Sequence, residues 1–393
     1  MNEPVIVGYA RTPIGKMLGG FSGLSAMQLG GRAIAAVLER SGVAPDQVDQ
    51  VLMGHVIQAG QGQITARQAA LEGGIGMEVP ATTINKVCLS GTSAVALANQ
   101  LIQLGEADVI VAGGMESMTG GPYLLPQART GYRMGHAKLV DATIHDGLWC
   151  ALDEEHMGSA SDRMNSKYGI TRERQDEWAV RSHHRAAEAW KNGRFDDEVV
   201  PVEVPQRRGD PITVEQDEGI RSDTTVDGLG KLRAAFTSDG TVTAGNASQV
   251  SDGAAALVLT SAAKASELRL EPLARIVAYG MVAGPDPSLH HQPAEATRRA
   301  AAKIDADPAG FDVYEINEAF AAVAIHSTDL LGVDEDKVNP NGGAVALGHP
   351  IGCSGARLVG TTVLELRLRG GGRGVATLCG GGGQGDAVIV ETI

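Results

Sequence analysis

Two cysteines and a histidine sit in contexts suited to acyl-group chemistry. Cys88 lies in Asn85-Lys86-Val87-Cys88-Leu89-Ser90-Gly91, His349 in Gly348-His349-Pro350, and Cys379 in Leu378-Cys379-Gly380-Gly381-Gly382-Gly383. A thiol is a strong nucleophile toward acyl carbon, an imidazole can take its proton, and a second thiol in a glycine-lined loop can serve as acid or base. Cys88 follows the strand-forming Ala81-Thr82-Thr83-Ile84 and opens a predicted helix of small residues. Such a position lowers a thiol pKa and supplies N–H groups to an oxyanion. Burial in a core is the commoner fate of a lone cysteine, so the context of Cys88 alone leaves both readings open.

The run from Asn339 to Gly355 is dense in glycine and proline, and it fixes His349 in a constrained turn. Proton transfer is one role for such a histidine and a satisfied structural ring is the other. Neither GxxxxGK[ST] nor a GxGxxG after a strand occurs, which argues against nucleotide hydrolysis. Cys379 ends an apolar strand, and the four glycines after it are costly in conformational entropy. They mark either a tight turn or a place where a substrate approaches the main chain. Asn317-Glu318-Ala319-Phe320 follows the strand-like Val313 to Ile316 and offers a carboxamide to a water or a substrate oxygen, although Asn at a strand end often only caps a helix.

These residues need a scaffold. At 393 residues the chain exceeds one hydrophobic core, so two or more domains are expected. Aromatic residues make up only 4% while 52 residues are glycine, which calls for a core of Ala, Val, Leu and Ile with closely packed backbones. The net charge of −14 argues against a nucleic-acid surface. Four scattered cysteines without CxxC spacing form neither a disulfide framework nor a zinc site. With no signal-peptide pattern and no uninterrupted run of about 18 apolar residues, a soluble cytoplasmic protein with no membrane association is expected.

Short apolar runs at Val5–Tyr9, Val51–Val56 and Val109–Ala112 alternate with helical patterns at Ser25–Arg40 and Ser90–Leu104, which Gly42 and Gly105 stop. Residues 121–250 differ, being richer in Met, Trp and charge, and read as an insertion. Within it Thr171–Lys191 forms a polar helix with Trp178 and Trp190 on its apolar side, expected to cap the molecule outside the main core. The end of the chain resembles its beginning. Cys88-Leu89-Ser90-Gly91, a helix, Gly105 and Val109–Gly114 are matched by Cys353-Ser354-Gly355, a helix, Gly370 and Val375–Gly380. Two duplicated α/β domains would bring their loops to one crevice.

Asn85–Gly91, Asn317–Phe320, Asn339–Gly355 and Cys379–Gly385 resemble, in order and spacing, the four motif blocks of the thiolase family. His156-Met157-Gly158, Gly245-Asn246-Ala247-Ser248 and Ser251-Asp252-Gly253-Ala254-Ala255 extend the likeness over nearly the whole chain, which is most similar to the acetyl-CoA acetyltransferase group. The resemblance implies a five-layer α-β-α-β-α fold of two core domains, residues 1–120 with 251–270 and residues 271–393, and an inserted loop domain, 121–250, that binds CoA. It implies condensation of two acetyl-CoA molecules to acetoacetyl-CoA, and the reverse thiolysis, through an acyl-Cys88 enzyme. His349 would activate Cys88, and Cys379 would move the α-proton. One oxyanion site would use His349 and a water on Asn317, the other the N–H groups of Cys88 and Gly381. Leu148, His156, Met157, Arg221, Phe236, Ala244, Ser248, Ala319 and Phe320 would contact CoA or the acyl group. No metal and no cofactor other than CoA thioesters is implied, and a homodimer or homotetramer is expected.

Two departures from the family pattern stand out. Gly228 replaces a serine near the adenine, and Leu289-His290-His291-Gln292-Pro293 replaces a Met-Gly-x-Gly-Pro segment that borders the acyl pocket. The alternatives are a 3-ketoacyl-CoA thiolase for longer chains, a thiolase-like acyl-CoA or lipid binding protein without catalysis, and a ketoacyl synthase. The complete set Cys88, Asn317, His349 and Cys379 disfavours the last two.

Overall fold

Alternation along Val109-Ile110-Val111-Ala112 sets up the layers, because successive strand side chains point to opposite faces. Val109 and Val111 join an apolar cluster with Leu29, Ile34 and Val37, while Ile110 and Ala112 join another with Val95, Ile102 and Val359. A strand buried on both faces needs helices on each side.

The computed structural model describes residues 2–393. In chain order the elements that form the frame are β1 (Pro4–Arg11), α1 (Ala26–Ser41), β2 (Gln50–Gly54), α2 (Thr65–Glu72), β3 (Ala81–Ile84), α3 (Ser90–Leu104) and β4 (Val109–Ser117). There follow α4 (Met157–Tyr168), α5 (Arg172–Lys191), β5 (Ser251–Ser261), β6 (Ala274–Ala283), α6 (Gln292–Ala301), β7 (Val313–Ile316), α7 (Ala321–Leu331), α8 (Ser354–Leu368), β8 (Arg373–Gly380) and β9 (Gln384–Thr392). The strands run β7-β8-β9-β6-β1-β5-β4-β2-β3 across one sheet, and Gly15–Lys16 adds a short tenth strand beside β5.

That sheet is two half-sheets joined at a single residue pair, Ile6 opposite Ala274. Each half repeats one scheme. β1, β5 and β4 are antiparallel neighbours with β2 parallel beyond them, and β6, β9 and β8 are antiparallel neighbours with β7 parallel beyond them. Helices α1 and α2 cover the outer face of the first half, α6 and α7 that of the second, and α3 and α8 lie between. The five layers expected from the sequence are present. The segment Val87–Leu104, with mean hydropathy 1.3, is long and apolar enough to cross a membrane; its helix is this central, sandwiched α3.

Local chemistry sets the helix ends. Ser25 and Gln28 form a reciprocal cap at the start of α1, and Gly42 and Gly105 close α1 and α3 in the left-handed region at φ +73° and +78°. Between Ser117 and Ser251 the chain leaves the large sheet. Helix α5, capped by Thr171, is more than a cover. Its Trp178 and Ala179 enter the outer apolar cluster of the second half beside Ile316, Ile325 and Val338. The indole supplies apolar bulk in a core poor in aromatics, and its Nε1–H donates to Glu318 at 2.9 Å. The acidic run near residue 217 also reaches inward: Asp217 and Glu198 bind the buried guanidinium of Arg11 at 2.7 Å each, tying the insertion to β1.

Candidate active site

Helix α3 begins at Ser90 with Leu89 as its cap, so Cys88 stands one residue ahead of the cap, not on the helix as the sequence reading had it. It sits in a tight turn where Val87 has φ +51°. The Leu89 N–H donates to the Lys86 carbonyl, and Ser90 Oγ donates to the Val87 carbonyl at 2.6 Å while accepting from the Lys86 N–H at 2.8 Å. The sulfur is approached by two N–H groups, those of Gly381 and of Cys88 itself. Desolvation nevertheless dominates, and burial, with the nearby Glu116 carboxylate adding to it, pushes the thiol up to about 12. The expected lowering by a helix start is absent, and Cys88 rests as a neutral thiol.

His349 follows the short helix Ala344–Leu347 and precedes α8. Its Nδ1 lies 2.6 Å from Ser354 Oγ, whose own proton goes to the Pro350 carbonyl at 2.9 Å. The serine must therefore accept, which places the ring proton on Nδ1 and leaves Nε2 as an acceptor. Asn317 Nδ2 stands 3.3 Å from that Nε2. Burial, helped by the Arg357 charge, lowers His349 to about 3, so the ring is neutral. Asn317 is positioned by its neighbour Glu318, a buried carboxylate that accepts from Trp178 Nε1, Asn339 Nδ2 (2.9 Å), Ser182 Oγ (2.7 Å) and the Val345 N–H (3.0 Å).

Cys379 lies within β8, paired with Gly385 across the hairpin, and not in the turn beyond it. It is fully buried, and desolvation together with the charge of Cys88 raises its pKa well above the usual thiol range. An ionised Cys88 acts on Cys379 in this way only at short range, which places the two sulfurs near one another. Gly380 at the end of β8 and Gly383 in the turn that follows are sterically required. A Cβ on Gly380 would crowd Leu89, and Gly383, at φ +69°, lies against the Asp286 carbonyl.

A cleft of about 320 Å³ opens at this point, and His349, Leu148, His156, Met157, Phe236, Ser248, Ala319 and Phe320 all line it. Cys88, Cys379, Asn317 and Gly381 do not line the cleft themselves, and the two thiols lie behind residues that do. Cys88 packs with Met118, Leu148 and Ile351, and Cys379 with Met157, Ala319 and Phe320. His156 stacks on Phe236 with ring centroids 4.6 Å apart, and its Nδ1 accepts from the Gly158 N–H at the start of α4. Two expected contacts, Arg221 and Ala244, are exposed and lie outside this lining. The acidic residues near Arg221 are occupied elsewhere, Asp217 by Arg11 and Glu218 by the backbone of Lys16 and Gly20. Met17 and Met118 line the cleft without having been anticipated, since neither stands in a patterned segment.

Residues 4–263 match the model of the thiolase N-terminal domain and residues 270–392 that of the thiolase C-terminal domain. The chain belongs to the thiolase family. It is 54% identical over 387 residues to the probable acetyl-CoA acetyltransferase of Mycolicibacterium smegmatis, spanning 98% of this chain and 100% of that protein. It is 50% identical over 392 residues to the acetyl-CoA acetyltransferase of Cupriavidus necator, spanning 100% of both. The crystal structure of the Bacillus anthracis acetyl-CoA acetyltransferase matches with a TM-score of 0.97 and 42% identity, over 100% of this chain and 99% of that one. In this thiolase the Leu289–Pro293 segment is firmly held. Leu289 is buried in the cluster around Cys379, His290 Nε2 is 2.8 Å from Asn165 Oδ1, and Gln292 Nε2 donates to the Gly284 carbonyl. Gly228 is exposed, and its N–H donates to Thr225 Oγ1.

Proposed function

We propose that this thiolase is an acetyl-CoA C-acetyltransferase, condensing two acetyl-CoA molecules to acetoacetyl-CoA and CoA and catalysing the reverse thiolysis. The observation that carries this reading is that a neutral imidazole lines one apolar cleft while both thiols pack in clusters that share residues with its wall. Cys88 Sγ attacks the thioester carbon as its proton passes to His349 Nε2. The departing CoA sulfur takes the proton of Cys379. The Cys379 thiolate then removes an α-proton from a second acetyl-CoA, the enolate carbon attacks acetyl-Cys88, and the expelled Cys88 sulfur recovers its proton from His349. Both thiols and the ring end as they began.

Negative charge develops on oxygen in each half-reaction. His349 with Asn317 serves one oxyanion and the N–H groups of Cys88 and Gly381 the other, each preorganised donor contributing about 3 to 4 kcal/mol. Met157, Leu289 and Phe320 close around Cys379, which favours short acyl chains. CoA runs outward past Leu148, His156, Phe236 and Ser248 toward Ala244 and Arg221, with no further cofactor. The same reading takes residues 121–250 as a CoA-binding loop domain on two core domains, and the protein as a cytoplasmic homo-oligomer. Purified protein should cleave acetoacetyl-CoA with CoA and do so faster than a ten-carbon 3-ketoacyl-CoA. A reversed preference would overturn the chain-length assignment, and undiminished turnover in Cys88→Ser would overturn the nucleophile.

A further inference from the structure

One ion pair, with a buried carboxylate and a partly exposed lysine, links the two thiol-bearing loops and has no part in the proton transfers above. Asp386 lies on β9 next to Gly385, the residue opposite Cys379, and its side chain is wholly buried. Its Oδ1 is 2.8 Å from Lys86 Nζ, two residues before Cys88 and 300 positions away in the chain. Its Oδ2 accepts from Ser93 Oγ at 3.2 Å, in the first turn of α3 just beyond Cys88. One carboxylate of the Cys379 hairpin thus grips the Cys88 turn on both sides.

Stability does not explain this pair. Burial pushes the Asp386 carboxyl up, with Lys86 and the Ser93 and Tyr279 hydroxyls only partly offsetting that cost. An apolar pair of similar size would commonly serve stability as well or better. Precision does explain it. The hairpin tip, Gly380–Gly383, has no side chains of its own to fix it, yet the Gly381 N–H must stand beside Cys88. We propose that the Lys86–Asp386 pair is a positioning device that sets the separation between the Cys88 and Gly381 N–H groups, and so the geometry of the oxyanion site they form.

This inference rests on the acyl-transfer reading, and the wild-type enzyme tests that reading separately: a folded wild type without thiolysis sinks the function itself. Given wild-type activity, Lys86→Met should lower kcat about 100-fold with KM changed by no more than about threefold, the scale expected when reacting groups shift by about 1 Å. Lys86→Arg, which keeps the pair, should recover kcat to within about fivefold of wild type. Alkylation of Cys88 by iodoacetamide needs no oxyanion donor and should stay within about threefold in every variant. A kcat for Lys86→Met within about threefold of wild type, or alkylation falling in step with kcat, would refute positioning and leave only a structural tie. If Lys86→Met does not fold, Asp386→Asn, which keeps the shape and the Ser93 contact, is judged by the same criteria.

Discussion

Cys88 and Cys353 occupy matching places in the two halves of the molecule, each in the turn that leads into a central helix, and they differ in one decisive respect. Cys353 is itself the cap residue of α8, is 1% exposed, and packs against Leu89, Ala356 and other residues between the half-sheets. Cys88 stands one residue farther from its helix, only partly buried and packed against the cluster that holds the cleft residues Met118 and Ile351, with two N–H groups aimed at its sulfur. Burial pushes both thiols up to about 12. Acidity at rest therefore does not separate the nucleophile from its structural counterpart. Access and the surrounding donors do.

The largest expected contrast is in turnover. Cys88→Ser should lower kcat for thiolysis by about 10³-fold or more, whereas Cys353→Ala should stay within about threefold of wild type. Equal losses would mean that the two positions are not functionally distinct. His349, on the loop that in the second half corresponds to the Cys88 turn, comes next. His349→Ala should cost on the order of 10² to 10³ in kcat, and Ser354→Ala, which removes the acceptor for Nδ1–H, about tenfold. A Ser354→Ala enzyme with wild-type kcat would contradict the assigned tautomer.

A pH series probes the shared high pKa directly. With Cys88 raised to about 12, its thiolate fraction grows throughout the accessible range, so alkylation should rise about tenfold per pH unit from about pH 7 to 9, with Cys353 unlabelled in the folded protein. A plateau in that range would reveal a standing thiolate–imidazolium pair instead. The smallest effect is on alkaline stability. A thiol near 12 in the folded chain and near 9 in the unfolded one contributes stability that is complete below pH 9 and is lost as pH rises toward 12. Urea melts should show wild type losing about 1 kcal/mol per such thiol between pH 8 and pH 10, and Cys353→Ala losing correspondingly less. Equal pH sensitivity in the two proteins would show that Cys353 is not held protonated by the fold.

Residues carried by local motifs were legible before any coordinates. The bounds of α3, the Gly42 and Gly105 stops and the cleft positions of Met157, Phe236, Ser248 and Phe320 follow from spacing, turn chemistry and family likeness. What escaped depends on distant partners. Lys86 gives no sign in its own segment that it will meet Asp386. Glu116 gives no sign that it will accept from the N–H groups of Val56, Ile57 and Gly352 and thereby pin the His349 loop to the first half. Trp178 looked like a surface cap because helical periodicity tells which face is apolar and not which neighbour will cover it. The helix-start argument for Cys88 failed on magnitude, since desolvation outweighs two N–H donors.

The four donors around Glu318 constrain how this enzyme can be rebuilt. Trp178 and Ser182 belong to α5, while Asn339 and Val345 belong to the second core half, so the carboxylate welds the two beside Asn317. Excising residues 121–250 to make a minimal catalyst would strip half of that shell from an anion sealed away from water. A replacement insertion grafted onto this scaffold must bring its own indole and hydroxyl to those places, or the carboxamide beside His349 loses its foundation along with the cleft wall formed by His156, Met157, Phe236 and Ser248.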